Sequence, residues 1–173
     1  MNHDDFYARF ERFERFERSA FRLEARDRYN VPHEQETLAD FLNGQQLPPR
    51  TPGNNSWLAL VAAATASGRT IERVRIAARP LSDYTRFEFA AYPENIAAGE
   101  KIPVLERRLL QGADRLWADD DFWIFDDETV VLLRYHEDGR FLRAEQVGNV
   151  DPYLVIRQRA LALSVDFADF PGR

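Results

Sequence analysis

The chain has 173 residues, 45% of them hydrophobic and 30% charged, a balance that suits one folded domain over residues 1–173 and argues against wholesale disorder. Its formal net charge of −6 weighs against direct nucleic-acid binding, because proteins that grip phosphate backbones concentrate positive charge. With no cysteine, disulfides, thiolate zinc sites, iron–sulfur clusters and cysteine nucleophiles are excluded together.

No apolar run reaches the length a membrane span requires. The start, Met1-Asn2-His3-Asp4-Asp5, is acidic and soon Arg/Glu-rich, the reverse of a secretory signal, so a cytoplasmic protein is expected. Residues 6–18 hold the near-repeat Phe-Glu-Arg, and at about 100° per residue Phe6, Phe10, Phe13, Phe16 and Ala20 share one stripe. Glu11 with Arg15 and Glu14 with Arg18 are favourable i,i+4 pairs, each worth roughly 0.2–0.5 kcal/mol. The spacing predicts an amphipathic helical extension over residues 1–19. Its stripe docks either on the domain's own core or on another chain, which makes Phe6, Phe10, Phe13 and Phe16 candidate interface residues. The polar face mixes both signs and lacks the basic bias of a membrane-surface helix.

Residues 20–26 alternate weakly and read as extended. Pro32 opens a short helix over 34–43, with Leu38, Phe41 and Leu42 inward and Gly44 as its stop. Residues 45–55, with three prolines, a glycine and two asparagines, read as a surface loop. Ser56 is expected to cap a helix over 57–67 ended by Gly68. Residues 70–78 alternate as a strand, with Val74 and Ile76 on one face and Arg73 and Arg75 on a solvated or partner-facing side. Pro80 ends it, and Ser82 or Asp83 caps a helix through Ala91 in which Tyr84, Phe87 and Ala91 share a face. Residues 93–98 add a helical turn closed by Gly99. A short strand is expected over 101–106, then three antiparallel strands over 122–125, 129–135 and 140–147, the last two joined by a turn carrying Asp138-Gly139. Asp151 caps a last helix with Pro152 at its first position, its apolar content coming from Leu154, Val155, Leu161 and Leu163, and Phe167 and Phe170 tuck back onto the body. The expected class is α+β: N-terminal helices, then a mixed sheet with a three-stranded antiparallel meander, then a C-terminal helix.

The chemistry is read mainly by elimination. Neither G-x-x-x-x-G-K nor G-x-G-x-x-G occurs, so the common phosphate-cradling loops are missing, and there is no G-x-S-x-G elbow. His3, His33 and His136 are far apart in the chain, with no neighbour that suggests a serine triad. The acidic runs Asp119-Asp120-Asp121 and Asp126-Asp127-Glu128 suggest a hard cation, but their spacing is not that of an EF-hand loop and turns use aspartates for their own backbone bonds. No metal and no cofactor are expected. In Asp83-Tyr84-Thr85-Arg86-Phe87-Glu88, Arg86 is placed to pair with Asp83; its five donors suit either a structural network or an acidic partner or phosphate. Trp57 and Trp123 are expected in the core.

Several motifs in order carry a resemblance. They are Phe21-Arg22-Leu23-Glu24, a helix bearing Trp57, Asp83-Tyr84-x-Arg86-Phe87-Glu88, the run from Asn95 to Gly99-Glu100, Phe122-Trp123-Ile124-Phe125-Asp126-Asp127, and Asp138-Gly139. The order resembles a family of actinobacterial domains of unknown function encoded beside helix-turn-helix regulators and small acidic partner proteins. The likeness spans nearly the whole chain and implies a cytoplasmic protein in a regulatory neighbourhood, with no catalytic residue to carry over; the N-terminal Phe-Glu-Arg repeat is not part of it. The second half is also similar to one half of a phospholipase-D-like fold. The only late histidine is followed by Glu137-Asp138 and not by that fold's His-x-Lys-x4-Asp signature, which implies a degenerate, non-catalytic copy.

The expected function is a non-catalytic interaction or regulatory module. It binds a protein partner, a transcription regulator or a second copy of itself, with no nucleic acid and no membrane. The alternative is a small-ligand binder or enzyme with a polar cleft around Asp83, Arg86, Glu88 and Asp126, to which Tyr84, Trp123 and Asp127 add candidate contacts.

Overall fold

The computed structural model describes residues 15–173; the helix expected over 6–18, with Phe6, Phe10 and Phe13, lies almost wholly outside them. Seven strands form one mixed sheet in the order β6-β5-β4-β1-β2-β3-β7. They are β1 (Ser19–Glu24), β2 (Thr70–Ala77), β3 (Pro103–Glu106), β4 (Phe122–Phe125), β5 (Thr129–Tyr135), β6 (Phe141–Val147) and β7 (Val165–Asp166). Strand β1 runs parallel to β2, and β2 to β3. Strands β4, β5 and β6 pair antiparallel in succession, and β4 joins them to β1.

Among the described residues four α-helices accompany the sheet: α1 (Gln35–Leu42), α2 (Ser56–Ala66), α3 (Asp83–Ala98) and α4 (Asp151–Leu163). Helix α2 packs on β2 and on α3, and α1 on α3. Helix α4 covers the opposite face, where Tyr153, Leu154, Ile156 and Leu161 meet Phe21, Leu23, Val74, Ile76, Phe122 and Ile124. The result is a sheet sandwiched between helices, with a separate core on each face.

Several expected details change. The run expected to be extended over 20–26 forms β1, which lies at the centre of the sheet, buried on both faces apart from its first residue. Phe16 precedes it and is 3% exposed, packed with Ala20, Ile71 and Phe125, so it serves this core and offers no outward interface. Leu42, expected inward, is 49% exposed at the end of α1. Asn55, not Ser56, caps α2, its side chain accepting the Leu58 N–H at 3.0 Å. Ser82 caps α3 through the Thr85 N–H, and α3 runs unbroken past Pro93 to Gly99. Asp151 does not cap α4: Val150 stands at that position without a side-chain hydrogen bond. Phe167 and Phe170 do pack back, against Phe89 and Tyr92.

The largest departure is on β2. Arg75 is wholly buried and the Arg73 side chain is 15% exposed, because α2 and α3 cover the face that alternation alone marks as solvated. A parallel strand flanked on both sides loses both faces to the interior, so polar residues there need buried partners.

Candidate ligand-binding site

The register of β1 and β2 creates the problem that the site solves. Arg22 stands opposite Arg73, and Glu24 opposite Arg75, all on the face turned to α2 and α3. Three guanidinium groups in a covered region tolerate one another only if carboxylates come with them. Glu24 lies between them, 2.9 Å from Arg73 and 3.6 Å from Arg22. Asp121 accepts from Arg22 at 2.9 Å and from the Tyr29 hydroxyl at 2.8 Å. Glu100, just past the end of α3, accepts from Arg73 and from the Trp57 indole N–H at 2.9 Å each, and from Asn95 Nδ2 at 2.7 Å. Glu88 on α3 sits 2.8 Å from Arg75, whose Nη2 also reaches the Thr85 hydroxyl.

These carboxylates do not behave alike. Burial pushes Glu24 up, but Arg73, Arg22 and Arg75 together outweigh it and hold the group at about 2. Glu88 moves the other way: burial lifts it to about 8, with Glu24 and Glu34 adding repulsion against the pull of Arg75 and, more weakly, Arg73. Arg75 itself is held more firmly charged, because Glu88 and Glu24 overcome its own burial. Four buried carboxylates face three buried guanidinium groups, so one proton is the cheapest remedy, and Glu88 is the acid placed to keep it. Burial likewise raises Asp121 to about 6, against Arg22, and raises Glu34 against the Tyr84 hydrogen bond.

Above this network lies a cavity of about 470 Å³, within the size range of small-molecule sites. Arg73 and Glu88 contribute to its floor, and Trp57, Phe87 and Tyr92 are its aromatic walls. The Trp57 and Tyr92 rings each lie 5.9 Å from the Arg73 guanidinium, holding it by cation–π contact. On the far side, His33 and Glu34 come from the turn before α1, Thr37 from α1 itself, and Leu47 and Arg50 from the proline-rich loop. Arg50 ties that loop to α3: it bonds Glu94 through Nε at 2.8 Å, and the Ala91 carbonyl and Asn95 Oδ1 at 2.7 Å each. Asn95 thus accepts from the loop and donates to Glu100, linking roof to floor. The Tyr92 hydroxyl is buried with no hydrogen-bond partner, an uncommon condition that costs about 1–3 kcal/mol.

Of the residues singled out from the sequence, Glu88 lines this cavity. Tyr84 lies behind it, donating to Glu34 at 2.7 Å. Asp83 and Arg86 pair with each other on the outside of α3, both more than half exposed. Trp123 is buried, with the Arg22 guanidinium 5.4 Å from its ring. Asp126 and Asp127 occupy the β4–β5 turn at φ 54° and 63°, where Asp126 accepts the backbone N–H groups of Glu17, Arg18 and Ser19 and Asp127 pairs with Arg157. Asp126 therefore stands at the start of β1, whereas Ser82, beside Asp83, bonds the Asp27 carbonyl beyond its end. A six-residue strand, about 20 Å, separates them, so Asp83, Arg86, Glu88 and Asp126 do not form one cleft. Sequence reasoning missed Arg22, Glu24, Arg50, Tyr92, Asn95 and Glu100 as site residues. The one available signal was charge at alternating positions of two strands, which reads equally as a solvated face.

Comparison with known families matches residues 6–171 to a family described as a domain of unknown function, DUF6879. No curated protein matches the chain.

Proposed function

Since the chain belongs to the DUF6879 family of domains of unknown function, we propose from its own geometry that it is a non-catalytic module that binds a small molecule in the cavity between α1, α2 and α3. The observation that carries this reading is the cavity itself, aromatic on its walls and charged on its floor. Pockets that combine apolar walls with a few fixed polar groups are the usual form of small-ligand sites. Arg50, Arg73, Asn95 and Glu100 hold one another in place, an arrangement that preorganises a shape for recognition. The test is a thermal-shift screen of a small-molecule fragment library against the wild type and Ala91→Trp, which fills the cavity from α3. Binding to the wild type that the variant loses supports the reading; ligands bound equally by both would refute it.

A regulatory role through a protein partner or a second copy is the companion reading. Its support is the phenylalanine stripe of the N-terminal sequence and the exposure of Leu116 and Val155, at 87% and 64%, on segments joined by the Arg159–Asp114 ion pair. Solution mass of the full chain, compared with a chain lacking residues 1–14, tests it: a strictly monomeric full chain that recovers no partner from its own cells counts against it.

A further inference from the structure

We propose that the cavity takes an organic ammonium ion carrying an aromatic or aliphatic body; this rests on reading the cavity as a ligand site and names the class of ligand. Charge comes first. The guanidinium groups near the cavity are already committed: Arg50 to Glu94, Arg73 to Glu24 and Glu100, Arg75 to Glu88. Arg22, deeper on the same sheet face, is held by Asp121 and Glu24. Against Arg22, Arg73 and Arg75 stand Glu24, Glu88, Glu100 and Asp121, all buried, with Glu34 as a fifth carboxyl at the cavity wall. With the proton kept on Glu88, Glu24, Glu100 and Asp121 balance the three guanidinium groups, and Glu34 at the cavity wall is the carboxyl that a cationic ligand would meet.

Hydrogen-bonding capacity points the same way. A carboxylate offers about four lone-pair sites. Glu34 takes a hydrogen bond from Tyr84, and Glu88 takes its hydrogen bonds from Arg75 among the described residues. Tyr92 lines the same cavity with its ring. A primary ammonium is a donor of three hydrogen bonds and accepts none, which complements the free lone pairs of two carboxyls. The walls fit the rest of such a ligand. Trp57 and Tyr92 already hold the Arg73 cation, and Phe87 adds an apolar ring. Aromatic rings beside carboxylates are the chemistry that selects organic cations from water.

The test is isothermal titration of the full chain with three probes of one shape: 2-phenylethylammonium, 2-phenylethanol and phenylacetate. The expected order is ammonium tightest, the alcohol weaker by roughly tenfold or more, and the acid weakest. Glu34→Gln should narrow the gap between ammonium and alcohol. Phenylacetate bound as well as the ammonium, or a preference untouched by Glu34→Gln, would overturn the assignment. If that binding is still lost in Ala91→Trp, the cavity remains a ligand site of another class. If none of the three binds while unrelated fragments do so in a manner blocked by Ala91→Trp, the ammonium assignment alone falls; if nothing binds, both fall.

Discussion

Glu88→Gln separates two physical descriptions of the buried network by the sign of its effect. Glu88 carries an ordinary carboxyl value of 4.5 in the unfolded chain and about 8 in the fold, where burial disfavours its charged form and Glu24 and Glu34 add to it despite Arg75. Between those limits the folded protein keeps a proton that the unfolded chain has released. The stability this group contributes is therefore complete below pH 4.5 and is lost as the pH rises through about 8, at about 1.4 kcal/mol per pH unit. Between about pH 5 and about pH 7.5 the loss is about 3 kcal/mol. Glutamine has the same shape and no proton to lose. Urea unfolding at both pH values, wild type against variant, isolates this group, because Asp121 and Glu24 titrate in both proteins and cancel. Near pH 5 the two proteins should agree within about 1 kcal/mol; near pH 7.5 the variant should be relatively more stable by about 3 kcal/mol. A variant whose deficit grows as the pH rises would mean that Glu88 is a charged partner of Arg75, and the proton count offered for the network would be wrong.

Tyr92→Phe should leave stability unchanged or raise it by up to about 1–3 kcal/mol, since it deletes a buried hydroxyl with no partner; a clear loss in urea unfolding would show that the hydroxyl is bonded. Asp126→Ala should cost about 1–2 kcal/mol, because three backbone N–H groups at the entry to β1 lose their common acceptor. Those three hydrogen bonds hold its carboxyl below its ordinary value even against burial, so the deficit should shrink as the pH falls into the acid range where the wild-type group protonates. Gly99→Ala should cost about 2 kcal/mol or more: the residue sits at φ +112°, and an added Cβ would come within 2.9 Å of Thr65 Cβ and closer still to its hydroxyl. Thr65→Ser, which keeps the hydroxyl and removes the methyl, should recover only part of that loss; recovery of all of it would put the backbone strain at zero.

The sites of turns and helix stops were legible because they depend on local chemistry. Gly44, Gly68, Gly99 and Gly139 all have positive φ, as their places after helices or in a hairpin turn suggest. The run from Phe122 to Val147 likewise shows its strands by apolar alternation and turn residues. The charged pairs were not legible. Asp83 with Arg86, three apart on a helix, is conspicuous in sequence and ends in solvent, where such a pair contributes little. Arg75 with Glu88 crosses from strand to helix, Arg22 with Asp121 spans 99 positions, and Arg50 with Asn95 joins a loop to a helix 45 positions on. No periodicity announces such partners.

Composition, turn chemistry and alternation by themselves determined a cysteine-free chain of mixed helices and strands, where most of its elements begin and end, and which strand faces are apolar. Only the tertiary structure decided what becomes of the other faces. The alternation of Arg22 with Glu24 and of Arg73 with Arg75 is the same in an edge strand with one wet face and in a central strand covered twice. The difference arises when β1 pairs with both β2 and β4 and α2 and α3 settle on top. Burial then turns ordinary surface charges into a desolvated network that must find carboxylates, protons or a ligand to balance it.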